Sequence, residues 1–279
     1  MRRSKSENRH PNVLWKGCAL VAIVFALALA RPVAAPGAAD PEPDHSRAQP
    51  QAPPPDTKAE KAPQPSPPRE LNVPVYRPPK PTRGSFPRNL SGAATRGRDA
   101  PDAPLVVALA PDHLGLTVNE QPNLYWFLEK DSAIRVDFTL IDEKSVNPLL
   151  EITMAGPLRG GVHTVRLADH GLSLEPGRWY EWSVAVVTSG HDPSEDRISR
   201  GFITRTQVPA GLTRELETRG PGEAVNVFAE SGLWYDAFTA LSVGIETQTE
   251  KAPLRRARAA LLDQVGLEPV AQYDRGGAP

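Results

Sequence analysis

Proline divides this chain into two parts that cannot fold in the same way. Of its 31 prolines, 19 lie in the 73 residues from Pro32 to Pro104. Proline donates no backbone hydrogen bond and has a fixed φ angle, so a tract this rich in proline builds neither helices nor central strands. We therefore expect residues 40–104 to be a disordered, Pro-rich linker, with the foldable part beginning at Leu105.

One stretch of this linker allows a second interpretation. The run Arg77-Pro78-Pro79-Lys80-Pro81 fits a peptide that docks in an aromatic groove. Short proline-rich motifs recur by chance in such a composition, however, so a solvated tether is favoured over a docking peptide.

Residues 1–39 have the three-part layout of an export signal peptide. An uncharged run from Gly17 to Ala30 is followed by small residues and preceded by basic ones, namely Arg2, Arg3, Lys5, Arg9 and Lys16. As a helix this run would cover about 21 Å, short of a hydrocarbon core of ~30 Å. We predict a cleaved signal and an exported protein, periplasmic or extracellular, with an uncleaved membrane anchor as the alternative.

The net charge of −1 conceals three different segments. Residues 1–39 carry +5, residues 40–104 carry +2 and residues 105–279 carry −8, which together give −1. An acidic domain repels phosphate backbones, so we expect no nucleic-acid partner. The single cysteine, Cys18, falls in the signal, which excludes a disulfide framework and multi-cysteine metal sites.

Residues 105–208 are predicted to form strands. Residues 134–140 alternate apolar and polar without error, as a half-buried strand does. Six further strands are expected over residues 105–110, 124–128, 149–154, 162–167, 179–187 and 198–206. Seven short strands with turn residues between them predict a seven-stranded antiparallel sandwich of immunoglobulin or fibronectin type.

The segment from Leu174 to Val184 supports that architecture. A Leu-x-Pro-Gly turn followed by Tyr-x-Trp-x-Val resembles the turn and strand beside the tyrosine corner of fibronectin-type modules. We expect Tyr180 and Trp182 to point inward, and Trp179 and Glu181 to point outward.

After Pro209 the apolar period changes to about 3.6, which is typical of helices. Four short helices are predicted over residues 213–217, 222–231, 233–245 and 253–265. The third has one apolar face, made of Trp234, Ala237, Phe238, Leu241 and Ile245. We expect a helical hairpin region over residues 209–270, packed against the sandwich, and a flexible tail over residues 271–279. A solvated basic face is expected at Arg255, Arg256 and Arg258.

Several motifs occur in an order that resembles a known family. They are Leu105–Pro111, Gly115-Leu116-Thr117, Leu124–Phe127, Tyr180-x-Trp182, Gly201-Phe202-Ile203 and Gly232-Leu233-Trp234-Tyr235-Asp236-Ala237. In this order they resemble a bacterial exported family, domain of unknown function 928, over about residues 103–267. The last motif is the most specific of the set. The resemblance implies no established activity and no catalytic residue.

The residues that usually carry catalysis or metal binding form no recognisable pattern. His113, His163, His170 and His191 have no helical metal-ligand spacing, and no nucleophile elbow or phosphate-binding loop occurs. Asp192–Asp196 has alternate oxygen ligands but lacks the glycine and glutamate of a calcium loop. We predict no catalytic residue, cofactor or metal, with a hydrolase of scattered residues as an alternative.

The predicted function is therefore binding. Aromatic residues expected to lie outside the sandwich core and on the helical region are candidates for partner contacts, namely Tyr125, Phe127, Trp179 and Trp234. They favour a non-enzymatic protein-interaction module whose partner is another protein of the bacterial cell envelope. One alternative is that these aromatics cover the second face of a sandwich strand or pack on the C-terminal helices. Another is that the protein stays anchored to the membrane through its N-terminal segment.

Overall fold

The computed structural model describes residues 73–80, 103–188 and 196–276. These residues belong to one compact unit, Glu70–Pro279. The predicted signal, most of the predicted linker and most of the Asp192–Asp196 run lie outside the described residues. Among the described helices, none has the length and apolar composition needed to cross a membrane.

In the described residues, eight strands in two sheets form the first part of the domain. In chain order they are β1 (Val106–Ala108), β2 (Gly115–Thr117), β3 (Asn123–Leu128), β4 (Val136–Asp142), β5 (Leu150–Met154), β6 (Gly161–Arg166), β7 (Trp179–Val186) and β8 (Arg197–Arg205). One sheet has the order β1-β3-β6 and the other the order β2-β8-β7-β4-β5. The predicted sequence of sheets followed by helices is confirmed.

Two details of the sheet prediction are wrong. The structure has an eighth strand, β2, and it pairs parallel to β8, with Leu116 opposite Thr204. The described strands are therefore neither seven in number nor wholly antiparallel. Three residues that begin with glycine are too short to show an alternating pattern, which is why β2 gave no strand signal.

The alternating pattern of β7 places its side chains as predicted. Tyr180 and Trp182 are buried, whereas Trp179 and Glu181 are half-buried. Trp182 stacks on Phe138 of the neighbouring β4, with ring centroids 6.0 Å apart. Burial of such large apolar side chains is the main favourable term in the folding of the two sheets.

Five α-helices follow the sheets. They are α1 (Leu212–Arg219), α2 (Ala224–Glu230), α3 (Trp234–Thr247), α4 (Lys251–Asp263) and α5 (Glu268–Asp274). The apolar face predicted for the third helix is confirmed, since all five of its residues are buried in α3. Because β3 contacts this helix through Tyr125 and Phe238, whose ring centroids lie 5.2 Å apart, the helices cover one face of the three-stranded sheet.

The end of the chain is more ordered than predicted. The tail expected from residue 271 is helical up to Asp274, which is buried. Its carboxylate accepts two hydrogen bonds of 2.6 Å from Arg258, which is also buried rather than part of a solvated basic face. A charged side chain enters a protein interior only when it is paired, and sequence periodicity does not reveal such a distant partner.

Candidate functional site

An extended segment, Val73–Lys80, lies against the folded domain. Pro74 and Tyr76 are buried, and Val75 between them is 55% exposed. This alternation is the usual way in which an extended peptide anchors every second side chain in a surface. For these eight residues the prediction of a solvated, disordered linker is wrong.

The backbone of the segment is held by hydrogen bonds. The Gln264 side chain spans two of its residues, since its Nε2 donates to the Pro74 carbonyl at 2.8 Å and its Oε1 accepts from the Tyr76 N–H at 2.9 Å. The Arg77 N–H donates to the Ala229 carbonyl at 3.0 Å. One carboxamide can satisfy a donor and an acceptor at once, which fixes the position of the segment along the domain.

Tyr76 is the anchor of the segment. Its ring packs edge-on against Trp234, with centroids 5.2 Å apart, and lies parallel to the His113 ring. Its hydroxyl is 2.9 Å from His113 Nε2, and His113 Nδ1 is 3.0 Å from a carboxylate oxygen of Asp112. The carboxylate can only accept, so Nδ1 carries a proton, and in the neutral imidazole Nε2 accepts from the Tyr76 hydroxyl.

The Tyr76, His113 and Asp112 chain has the connectivity of a hydroxyl, imidazole and carboxylate triad. Burial raises the pKa of the Tyr76 hydroxyl, and the nearby Asp112 carboxylate raises it further. The raised pKa keeps the hydroxyl protonated at neutral pH. The arrangement therefore holds Tyr76 as a neutral phenol, through its ring and through one hydrogen bond of its hydroxyl.

A close backbone contact completes the surface under the segment. Gly232 has a positive φ of 74°, and a Cβ atom on it would lie 2.8 Å from the Arg77 carbonyl oxygen. Only glycine combines that conformation with so close an approach. We call the surface that holds the segment the peptide groove; it consists of His113, Ala229, Gly232, Trp234 and Gln264.

The residues after Gly232 join the helices to the sandwich. Trp234 Nε1 donates to the Leu109 carbonyl at 3.0 Å. The Tyr235 hydroxyl donates to the Phe202 carbonyl at 3.0 Å and accepts from Trp182 Nε1 at 2.9 Å. Trp234 thus bonds to the residue that follows β1, and Tyr235 bonds to β7 and β8.

Asp236, the next residue in α3, also bonds to the part of the chain that forms the sheets. It accepts from the Val118 N–H at 3.1 Å, just after β2. Burial raises the pKa of its carboxyl to about 7, against the opposing effect of hydrogen bonds from Val118 and Thr117. We call Trp234, Tyr235 and Asp236 the joint. Gly115 fits the joint because a Cβ there would lie 2.6 Å from the Tyr235 ring.

The predicted partner-binding aromatics do not form an exposed surface. Tyr125, Phe127 and Trp234 are each at most 3% exposed. Tyr125 packs on Phe238 and Phe127 on Tyr273, so the alternative that these aromatics pack on the C-terminal helices is correct for both. Alternation marks which residues point away from the sandwich core, but it does not show whether another layer covers them. Trp179 is half-buried against Phe202.

The histidines serve local structure where the chain is described. His163 stacks on Trp126 with centroids 4.2 Å apart and donates from Nε2 to the Arg159 carbonyl at 2.7 Å. His170 ends a short 3-10 turn, and His191 lies outside the described residues. In the described ranges, no group of three or more histidine, cysteine or acidic residues is arranged to hold a metal ion.

Only Trp234 of the peptide groove was among the residues selected from sequence. Tyr76 was missed because a proline-rich tract was expected to have no partner. The signal that could have identified it is the apolar sequence Val73-Pro74-Val75-Tyr76, which is unusual in a linker that otherwise has few large apolar residues. Gln264 and His113 carry no sequence signal, since their role depends on contacts with residues more than thirty positions away.

The joint lies in the part of the chain that matches a known protein family. The family model described as Domain of Unknown Function (DUF928) matches residues 91–274, which include the joint but not Val73–Lys80. No curated protein matches the chain. Since the matched region covers well over half of the sequence, the chain belongs to the family described as Domain of Unknown Function (DUF928).

Proposed function

We propose that this protein is an exported, non-enzymatic interaction module of the bacterial cell envelope whose peptide groove binds an extended, proline-containing peptide with a tyrosine anchor. The observation that carries the proposal is the bound Val73–Lys80 segment, held through both its backbone and its Tyr76 side chain. Main-chain hydrogen bonds of this kind provide affinity, and the pocket for an alternate side chain provides specificity.

The chemistry of the groove suits that ligand. Tyrosine buries a large ring at low entropic cost while its hydroxyl still finds a hydrogen-bond partner. Proline restricts the free peptide to extended conformations, which reduces the entropy lost on binding. The segment of this chain occupies the groove at the high effective concentration of a tethered ligand, so a partner peptide must displace it.

Binding of a labelled peptide with the sequence of residues 73–80 tests the proposal. The full chain with Tyr76→Ala, whose own anchor is weakened, should bind the peptide at least about tenfold more tightly than the wild-type chain, because its groove is no longer occupied. Adding Gln264→Ala to that variant should abolish most of the gain. Fluorescence anisotropy measures both.

Gln272→Ala is the matched control, because Gln272 is an exposed glutamine on α5. It should leave peptide binding unchanged. Equal binding of the peptide to the wild-type chain, to Tyr76→Ala and to the double variant would contradict a specific peptide groove.

For the sandwich we propose an immunoglobulin- or fibronectin-like type. Its support is the pairing of β1, β3 and β6 in one sheet and of β8, β7, β4 and β5 in the other. A second support is the hydrogen bond of 2.9 Å from the Glu175 N–H to the Tyr180 hydroxyl, which is the bonding pattern of a tyrosine corner.

Export rests on the sequence of residues 1–39 and stays a proposal. N-terminal sequencing of the mature protein tests it: a start near Arg31 or Asp40 supports a cleaved signal. An intact Met1 in the membrane fraction would favour the anchored alternative.

A further inference from the structure

A second, separate cleft lies between the edge strand β6 and the helices α3, α4 and α5. It has a volume of about 150 Å³. The residues that give it chemical character are Tyr125, Thr164, Glu246, Arg255, Arg258 and Tyr273. None of them belongs to the peptide groove, so the cleft is independent of the proposed function.

One of the two arginines in the cleft is already neutralised. Arg258 donates two hydrogen bonds to the Asp274 carboxylate, and its Nη1 donates to Ser242 at 3.1 Å. The positive charge of Arg258 is therefore balanced by Asp274 within the protein. It leaves no net charge for a ligand.

The other arginine, Arg255, has no such partner. It forms no ion pair within the described part of the chain, and its half-buried side chain has a buried Nε without a hydrogen-bond acceptor. The acidic residue of the cleft, Glu246, is 3.8 Å from Arg166, and both side chains are about half exposed. The cleft thus keeps one unbalanced positive charge.

A second polar atom in the cleft also lacks a partner. The Thr164 hydroxyl on β6 is buried and makes no hydrogen bond. Thr164 and Arg255 thus each bring one buried polar atom without a hydrogen-bond partner to the walls of this cleft. Buried polar groups are nearly always satisfied, by protein or by a bound molecule, because an unsatisfied one costs about 1–3 kcal/mol.

We propose that this cleft binds a small organic monocarboxylate, with the guanidinium group of Arg255 pairing with the carboxylate. A guanidinium matches a carboxylate through two parallel hydrogen bonds. A cleft of about 150 Å³ has room for a short-chain acid. A phosphate dianion fits less well, because one unbalanced arginine neutralises only one negative charge and the Glu246 carboxylate lines the same cleft.

Titration of the purified full chain with L-lactate at low salt, followed by saturation-transfer NMR, tests the proposal. Lactate carries one carboxylate and one hydroxyl. It should bind saturably, whereas lactamide, its neutral analogue, should not. Inorganic phosphate is the second arm, and it should bind more weakly than lactate.

Two variants of neighbouring arginines provide the matched comparison. Arg255→Gln should weaken lactate binding by about tenfold or more, the loss expected for one charge-assisted contact. Arg256→Gln removes the same charge from an exposed position one residue further along α4 and should change binding by less than about twofold. Arg255→Lys keeps the charge but loses the two parallel donors of the guanidinium; it should also weaken binding and replaces Arg255→Gln if that variant does not fold.

The proposal is overturned if the wild-type chain shows no saturable lactate binding. Equal loss of lactate binding in the two arginine variants would mean that lactate is held only by general charge attraction, which also overturns the proposal. If lactamide binds as tightly as lactate, or if phosphate binds more tightly than lactate, the ligand is not a monocarboxylate.

Discussion

The two proposed binding regions of the helical part are built from different interactions. The peptide groove uses neutral hydrogen bonds and rings, and its occupant comes from the same chain. The cleft between β6 and the helices uses charges, and after Arg258 has paired with Asp274 one arginine remains unbalanced. The polar groups of a site can therefore be paired within the chain or left for another molecule to pair with. The groups that remain unpaired distinguish the two cases.

The largest expected effect concerns the balanced arginine of the cleft. Arg258→Ala should lower the free energy of unfolding by about 3–5 kcal/mol, because the Asp274 carboxylate would be left buried without a counter-charge. Urea denaturation measures it. Arg275→Ala is the control: its side chain pairs with Asp263 at the surface, where such a pair contributes at most about 1 kcal/mol. Similar losses in both variants would mean that the buried pair is not what attaches α5.

The next effect concerns the groove. Tyr76→Ala should lower the free energy of unfolding by about 2 kcal/mol, the transfer free energy of one buried aromatic side chain. It should also make the chain near residue 76 more sensitive to proteases. Val75→Ala changes a neighbouring exposed side chain and should leave both properties unchanged. If Tyr76→Ala changes neither stability nor proteolysis, the segment is not bound as described.

The third effect is a change in the pH dependence of stability, and it concerns the joint. Burial raises the pKa of Asp236 to about 7 in the folded protein, against about 3.9 in an unfolded chain. The unfolded state loses this proton first, so the contribution of Asp236 to stability is complete below about pH 4 and is lost as pH rises towards 7.

Asp236→Asn should remove this slope, as urea denaturation between pH 4 and pH 8 would show. Its amide oxygen can still accept from the Val118 N–H, so most of the joint is kept. Asp169→Asn, at an exposed position, should behave as the wild-type chain does. An unchanged slope in Asp236→Asn would contradict the buried carboxyl.

The same contrast explains what the sequence could predict. Local patterns predicted β7 and the apolar face of α3, because alternation and a helical period are properties of neighbouring residues. The peptide groove and the Arg258 pair depend on contacts between distant positions. Tyr76 and Gln264, which share a hydrogen bond, are 188 residues apart in sequence, so no local sequence pattern contains both. For the same reason the covered face of β3 was taken for an exposed one.

The bound segment also determines how the domain would respond to tension. A pull on the chain before Val73 reaches Gln264 and Trp234 before it reaches β1, since the segment precedes the sheets and is held on the helical side. Detaching it would free the eight residues from Val73 to Lys80, which can extend to roughly 26–29 Å at ~3.3–3.6 Å each. The Tyr76 anchor would thus give way before a pull from this side reaches either sheet.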